Sequence, residues 1–156
     1  MVAVDDLTEY ALFADLSPDT LERLLPVARE QRFEAGERIF REHQVAVDLY
    51  IIRRGRVEVF ATTPEGGRRS IDELGPGTFL GCSVLVEPYR YRFAATALEE
   101  TDVLALEGQA LRNLAADDHE VAYHLLRRVS TMLCQRIEGA CRLLHGPTPE
   151  PEADVE

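Results

Sequence analysis

Glycines recur at short intervals between residues 31 and 106, and the runs that they separate are short and rich in β-forming side chains. Residues 48–61 are predicted to form two strands joined by a tight turn. In the second strand, Val57 and Val59 face one side, while their neighbours, including Phe60, face the other. Many short strands at this spacing predict an antiparallel sandwich or roll rather than a parallel sheet.

Helical patterns flank this β-rich region on both sides. Before it, Ser17 and Pro18 form a helix start signal, because serine caps free N–H groups and proline is tolerated at the first helical position. After it, we predict a short helix over 109–116 and a long helix over 118–144. The long helix is predicted to begin at a capping box that starts with Asp117. The expected fold class is mainly β with flanking α: an antiparallel eight-stranded, jelly-roll-like β-roll with an N-terminal helix and a long C-terminal helix.

These elements are predicted to form one domain over residues 1–145, because a chain of 156 residues has room for one core. The β-roll occupies about 31–106, and the C-terminal helices occupy about 109–145. Residues 146–156 are rich in proline and glutamate and contain little that is apolar, which predicts a disordered acidic tail. No DNA-binding half follows, so we expect the output to pass through a partner protein.

Net charge and hydropathy exclude several function classes. The formal net charge is -11, and a surface this acidic repels phosphate backbones, so we expect no direct nucleic-acid binding. The apolar runs are much shorter than the roughly 20 residues that span a bilayer. The first residues also lack the pattern of a signal peptide. We therefore expect a cytoplasmic protein without membrane contact.

The sequence contains no recognisable catalytic or metal-binding motif. The cysteines Cys82, Cys134 and Cys141 are scattered, and His119 and His124 are five residues apart, which suits no ligand pair on a helix. No phosphate-binding loop or nucleophile signature is present. We expect a protein that is not an enzyme and has no metal or cofactor, with possible redox roles of the three cysteines left open.

Apolar residues follow one another at steps of three and four along the predicted C-terminal helix. At 1.5 Å per residue this helix is about 40 Å long, which is more than a small domain needs to cover its core. We predict that the surplus pairs with the same helix of a second copy, giving a homodimer. The predicted contact residues are Leu126, Val129, Leu133, Ile137, Ala140 and Leu144.

Residues 74–85 combine a glycine-rich entry with a short helical turn, and Arg92 follows at the start of a strand. Free backbone N–H groups attract an anion, and the planar guanidinium can clamp it. The predicted ligand or phosphate contacts are Gly81, Cys82, Ser83, Arg92, Phe93 and Ala94. The alternative is a structural Arg92 paired with a carboxylate such as Glu87.

This segment resembles the phosphate-binding cassette of cyclic nucleotide-binding domains of the Crp/Fnr type, and the likeness extends over residues 12–144. In that family a glutamate follows the cassette glycine and binds the ribose 2′-hydroxyl. The arginine binds the cyclic phosphate, and a serine or threonine follows it. Gly81 and Arg92 keep this pattern, whereas Cys82 and Phe93 depart from it. His43 stands where the family has a turn glycine.

Loss of a charged acceptor for a buried hydroxyl costs about 1.5–3 kcal/mol, which is roughly ten- to a hundredfold in affinity. The sequence therefore predicts weak or no binding of cAMP and cGMP.

Two functions stay open. The first is a sensor module that binds a small anionic, nucleotide-like effector, such as a cyclic nucleotide or another small phosphate, and signals through its C-terminal dimer helix. The alternative is a degenerate fold that serves as a ligand-free dimeric scaffold for protein interaction.

Overall fold

The computed structural model describes residues 1–145, and eight strands in two antiparallel sheets form its centre. Every strand pair is antiparallel, which confirms the predicted β-roll. One sheet contains, in order, β1 (Ala28–Phe33), β8 (Thr101–Glu107), β3 (Asp48–Arg54) and β6 (Phe79–Leu80). The other contains β2 (Arg38–Phe40), β7 (Ala94–Ala97), β4 (Val57–Thr62) and β5 (Arg68–Leu74).

The alternating pattern of β4 places its two valines in the apolar core. Phe60 is also buried, but it lies under two guanidinium groups rather than in that core. The guanidinium carbons of Arg38 and Arg68 are 5.0 and 3.9 Å from the centre of its ring. This cation–π cover explains how an aromatic side chain on the outward face of a strand is shielded from water.

Two helices precede the roll, and two follow it. They are α1 (Val4–Thr8), α2 (Pro18–Leu24), α3 (Gly108–Asp117) and α4 (His119–His145). Helix α2 begins as predicted, since the Ser17 hydroxyl accepts a hydrogen bond from the Thr20 N–H.

The start of α4 differs from the prediction by one residue. Asp118, rather than Asp117, accepts hydrogen bonds from the N–H groups of Glu120 and Val121, at 3.0 and 3.3 Å. The reason is that α3 extends through Asp117, which leaves Asp118 as the one extended residue between the two helices.

The first half of α4 packs against α3 and the N-terminal segment, where the Arg128 guanidinium binds the Asp15 carboxylate at 2.6 Å. The predicted acidic tail, 146–156, lies outside the described residues. Within residues 1–145, no helix is both long enough and apolar enough to cross a membrane.

Candidate functional site

A cavity of about 240 Å³ lies between the roll and α4. Its wall on the roll side includes Gly81, Cys82, Ser83, Arg92 and Phe93, which are five of the six predicted ligand contacts. The sixth, Ala94, is buried within β7 and is not among the lining residues. The opposite wall is formed by the α4 residues Val129, Leu133 and Arg136.

Gly81 determines the shape of the cassette turn, the short 3₁₀ helix Cys82–Leu85. Its φ of 84° lies in the left-handed region, which favours glycine. A Cβ at this position would also lie 2.8 Å from the carbonyl oxygen of Asp48. Among residues 1–145, the N–H groups of Cys82 and Ser83, at the start of this turn, donate to no backbone carbonyl.

Tyr91 anchors the strand entry that carries Arg92 and Phe93. Its ring stacks on Phe40 with centroids 3.8 Å apart, and its hydroxyl donates to the carbonyl oxygen of Asp48 at 2.6 Å. Burial raises the pKa of Tyr91, so the hydroxyl keeps the proton that it donates. The same Asp48 accepts two hydrogen bonds from the Arg29 guanidinium at 2.9 and 2.6 Å, which ties the site to β1.

The turn at His43 lies directly beside Tyr91. His43 has a φ of 66°, which is the left-handed conformation expected where the resembling family has glycine. Its N–H donates to the carbonyl oxygen of Tyr91 at 2.7 Å, and its own carbonyl accepts from Arg90 at 3.0 Å. These two hydrogen bonds hold the histidine in the turn despite its side chain.

The Arg92 side chain is exposed at the cavity and has no hydrogen bond or ion pair within the described part of the chain. In particular, it forms no salt bridge with Glu87, so the predicted structural pairing is not present there. Phe93 is half-exposed and also lines the cavity. The arrangement leaves a free guanidinium beside an apolar wall, which suits an anion with an apolar body.

Cys82 lines the cavity where the resembling family has a glutamate. Burial raises the pKa of its thiol, and the nearby Arg136 charge opposes this rise. The thiol is therefore neutral at neutral pH and supplies no negative charge to the cavity. It is a weak hydrogen-bonding group that packs as a small apolar side chain.

Arg136 is the charged cavity residue that the sequence analysis did not predict. Its guanidinium donates to the carbonyl oxygen of Phe79 at 3.0 Å and lies 3.6 Å from the Asp72 carboxylate. Burial lowers the pKa of this arginine, and Asp72 opposes that effect. Its spacing from Val129 and Leu133 places it on the same face of the helix, and this spacing is the sequence feature that could have predicted it as a neighbour of those two residues.

The residues predicted for the dimer contact do not all have the same surroundings. Val129 is buried against the roll, and both Val129 and Leu133 line the cavity. The remaining residues of the set are exposed, namely Leu126, Ile137, Ala140 and Leu144. The structure thus divides the predicted stripe between an intramolecular part and an exposed part.

Residues 1–145 contain no group of three or more histidine, cysteine or acidic side chains that could hold a metal ion. The three cysteines are free: Cys82 is half-buried, and Cys134 and Cys141 are exposed on α4.

Comparisons with known proteins agree with this geometry. The profile of the cyclic nucleotide-binding domain matches residues 30–118. The cyclic AMP receptor protein of Thermus thermophilus is 30% identical over 76% of this chain and 56% of its own length. A CRP-like cAMP-activated global transcriptional regulator of Mycobacterium tuberculosis is 26% identical over 92% of this chain and 64% of its own. The chain thus spans less than two thirds of the length of these two relatives.

Solved structures of similar fold also include cyclic nucleotide-binding proteins. A candidate cyclic nucleotide-binding protein from Geobacter metallireducens superposes with a TM-score of 0.80 at 26% identity, covering 88% of this chain and 99% of that chain. The catabolite activator protein of Thermus thermophilus superposes with a TM-score of 0.68 at 27% identity, covering 85% of this chain and 61% of its own.

Proposed function

The chain belongs to the cyclic nucleotide-binding domain family, and on this premise we propose that it is a non-enzymatic sensor domain for a small anionic, nucleotide-like effector. The observation that carries the proposal is the unpaired guanidinium of Arg92 beside the cavity. A free arginine next to the N–H groups of Cys82 and Ser83 provides several donors for one anionic group. The names of the relatives, a cyclic AMP receptor and a cAMP-activated regulator, support a ligand of this chemical class.

The apolar part of the effector would contact Val59, Leu80 and Phe93, which line the same cavity. With a neutral thiol at Cys82, no carboxylate on this wall can accept a hydrogen bond from a ribose hydroxyl. We therefore propose that cAMP and cGMP bind weakly in comparison with a ligand that does not depend on that contact.

Effector binding would be signalled through α4. The cavity of about 240 Å³ is smaller than the roughly 300–1,000 Å³ of most small-molecule sites, so we propose that a nucleotide-sized ligand displaces one of its walls. The α4 wall can move as a unit, because it is formed by Val129, Leu133 and Arg136 of one helix. The cassette turn is linked to α3 by Arg112, which donates to the carbonyl oxygen of Val84 at 2.6 Å. A movement of the turn would therefore also reach α3 and, through it, α4.

A second function, a ligand-free dimeric scaffold, is favoured by a different observation. Leu126, Ile137 and Leu144 are exposed on α4, and an apolar surface of this kind is typical of an interface. We propose that this surface pairs two copies of the chain in either case. In the sensor function the pairing would transmit the signal, and in the scaffold function the pairing would be the whole activity.

Calorimetric titration separates the two functions. We expect a small phosphate from a panel that includes cAMP, cGMP and linear nucleotides to bind the wild-type protein. We expect Arg92→Ala to weaken that binding by roughly ten- to a hundredfold, since a charge-assisted hydrogen bond is lost. Arg69→Ala is the matched control, because Arg69 is an exposed arginine on β5 and is not among the cavity residues.

A double variant, Cys82→Glu with Phe93→Ser, tests the cassette itself. It restores the family's residues beside Arg92, so we expect it to bind cAMP more tightly than the wild type does. If neither the wild-type protein nor this variant binds any member of the panel, the sensor function is wrong, and the scaffold function is favoured.

A further inference from the structure

The cavity carries two positively charged side chains on opposite walls. Arg92 belongs to the roll, and Arg136 belongs to α4. The residues that line this cavity, all within the described range, include no aspartate or glutamate. The protein as a whole has a formal net charge of -11, so this local excess of positive charge is opposite to the general trend of the chain.

The charge of Arg136 is only partly compensated. Its Nε lies 3.6 Å from Asp72, and this aspartate lines an outer groove between β5 and α4 rather than the cavity. Its Nη2 donates to the carbonyl oxygen of Phe79. Its Nη1 has no hydrogen-bond partner among residues 1–145 and is not fully enclosed.

The half-buried Arg136 guanidinium loses hydration in the unliganded protein, whereas the Arg92 side chain is exposed and stays hydrated. Burial also lowers the pKa of Arg136, which reflects the same cost. A neutral side chain at position 136 could fill the same space on α4 without that cost. An anion between the two guanidinium groups would offset both charges.

We propose that the effector is a compact dianion, with one oxyanion group bound by Arg92 and a second bound by Arg136. This inference rests on the proposed sensor function, keeps the small anionic effector and replaces the nucleotide-like body with a smaller one. The two groups would be joined by a short apolar segment, because the apolar side chains of Leu80, Val129 and Leu133 line the same cavity. The volume of about 240 Å³ suits a small dicarboxylate or phosphocarboxylate better than a complete nucleotide. Because the second group would bind a residue of α4, such a ligand would connect the roll directly to the signalling helix.

The test compares dianions with matched monoanions. Succinate, glutarate and adipate are titrated by calorimetry beside their monomethyl esters, and phosphoglycolate is titrated beside glycolate. Each dicarboxylate differs from its ester mainly by one negative charge, whereas phosphoglycolate carries a phosphate of about −1.5 to −2 that glycolate lacks. The two sets distinguish carboxylate from phosphate. We expect at least one dianion to bind the wild-type protein roughly tenfold or more tightly than its monoanionic partner.

Two variants of α4 assign that preference to Arg136. Arg136→Gln should remove the preference for the dianion while leaving binding of the monoanion. Arg127→Gln is the control, because Arg127 is exposed and lies nine residues earlier, on the opposite side of the helix. Arg127→Gln should keep the preference, and Arg92→Ala should weaken binding of both ligands.

The outcomes separate this inference from the proposed function. Equal binding of dianion and monoanion, both dependent on Arg92, would overturn the proposal of a dianionic effector and leave the sensor function intact. A preference that persists in Arg136→Gln would also overturn it. If neither these ligands nor the phosphate panel binds, the sensor function itself is wrong. The wild-type comparison alone decides the matter if Arg136→Gln does not fold.

Discussion

The two halves of α4 have similar apolar spacing but different surroundings. In the first half, Val121, Leu125 and Val129 are buried within the domain, and Leu125 is only 3% exposed, although Leu126 on a neighbouring face is exposed. In the second half, Ile137 is 63% exposed, and Leu143 and Leu144 are more exposed still. Arg136 lies near the boundary, with one side at the cavity and the other at the outer groove.

This difference shows what helical periodicity can and cannot reveal. Regular spacing of apolar residues indicates that a helix has one apolar face. It does not indicate whether that face is covered by the same chain or by another molecule. In α4 the contact changes along the helix, because the rest of the domain covers one face of its first half while the second half continues past the core. The energetic consequences of truncating a side chain should change along the helix in the same way.

The largest expected effect is on global stability. Leu125→Ala removes a buried side chain from the core, so we expect the free energy of unfolding to fall by about 2–5 kcal/mol. Ile137→Ala should change it by less than about 0.5 kcal/mol at protein concentrations where the chain is monomeric. Urea denaturation followed by circular dichroism measures both. Similar losses in the two variants would contradict the division of the helix.

The next effect concerns the association of two copies. Ile137→Asp places a charge on the exposed apolar face, so we expect the dissociation constant of the homodimer to rise by roughly tenfold or more. Gln135→Asp is the matched control, because it adds the same charge about half a turn away on the helix. Sedimentation equilibrium measures the association. A wild-type protein that stays monomeric at micromolar concentration would refute the proposed pairing.

A smaller effect is expected at Gly139, in the exposed half of α4. Within residues 1–145, and apart from the neighbouring backbone of the helix itself, no atom lies within 4 Å of the position that a Cβ would take, so Gly139→Ala should favour the helix by about 0.8–1.0 kcal/mol. Amide hydrogen exchange in the second half of α4 should become slower. The contrasting variant is Gly108→Ala, whose Cβ would lie 2.8 Å from the Cβ of Val84 and should destabilise the protein. Faster exchange in Gly139→Ala would show that this half of the helix is held by contacts that alanine disturbs.

The smallest effect concerns the reactivity of the thiols and leaves the fold unchanged. Cys134 and Cys141 are exposed on α4, whereas burial raises the pKa of Cys82. Because a raised pKa leaves less thiolate at a given pH, iodoacetamide should modify Cys82 more slowly than the two exposed cysteines at pH 8. The rate at Cys82 should continue to rise at more alkaline pH, as its thiol ionises. Mass spectrometry of the modified peptides gives the three rates, and fastest labelling at Cys82 would contradict its burial.

Most of the fold could be predicted from local patterns in the sequence. Alternation in β4, the serine cap of α2 and the apolar stripe of α4 each depend on residues that are near in the chain. The predicted cap of α4, Asp117, differs from the observed cap, Asp118, by one residue. Both aspartates can act as a cap, and only the end of α3 decides between them.

The candidate site was predictable on its roll side only. Gly81 and Arg92 are close in sequence, and their spacing already indicated a shared anion site. Ala94, which was also predicted as a ligand contact, is buried within β7 and does not line the cavity. Arg136 is 55 residues beyond Gly81 in sequence, so no local pattern could bring it to the same cavity.

The sequence by itself determined the secondary structure, the glycine turn at Gly81 and the apolar face of α4. These features follow from backbone sterics and side-chain periodicity, which act over a few residues. Only the tertiary structure decided which half of that face is covered and which two arginines share a cavity. Such contacts depend on how the folded roll packs against a helix that is distant in sequence, and short-range conformational preferences contain no information about that packing.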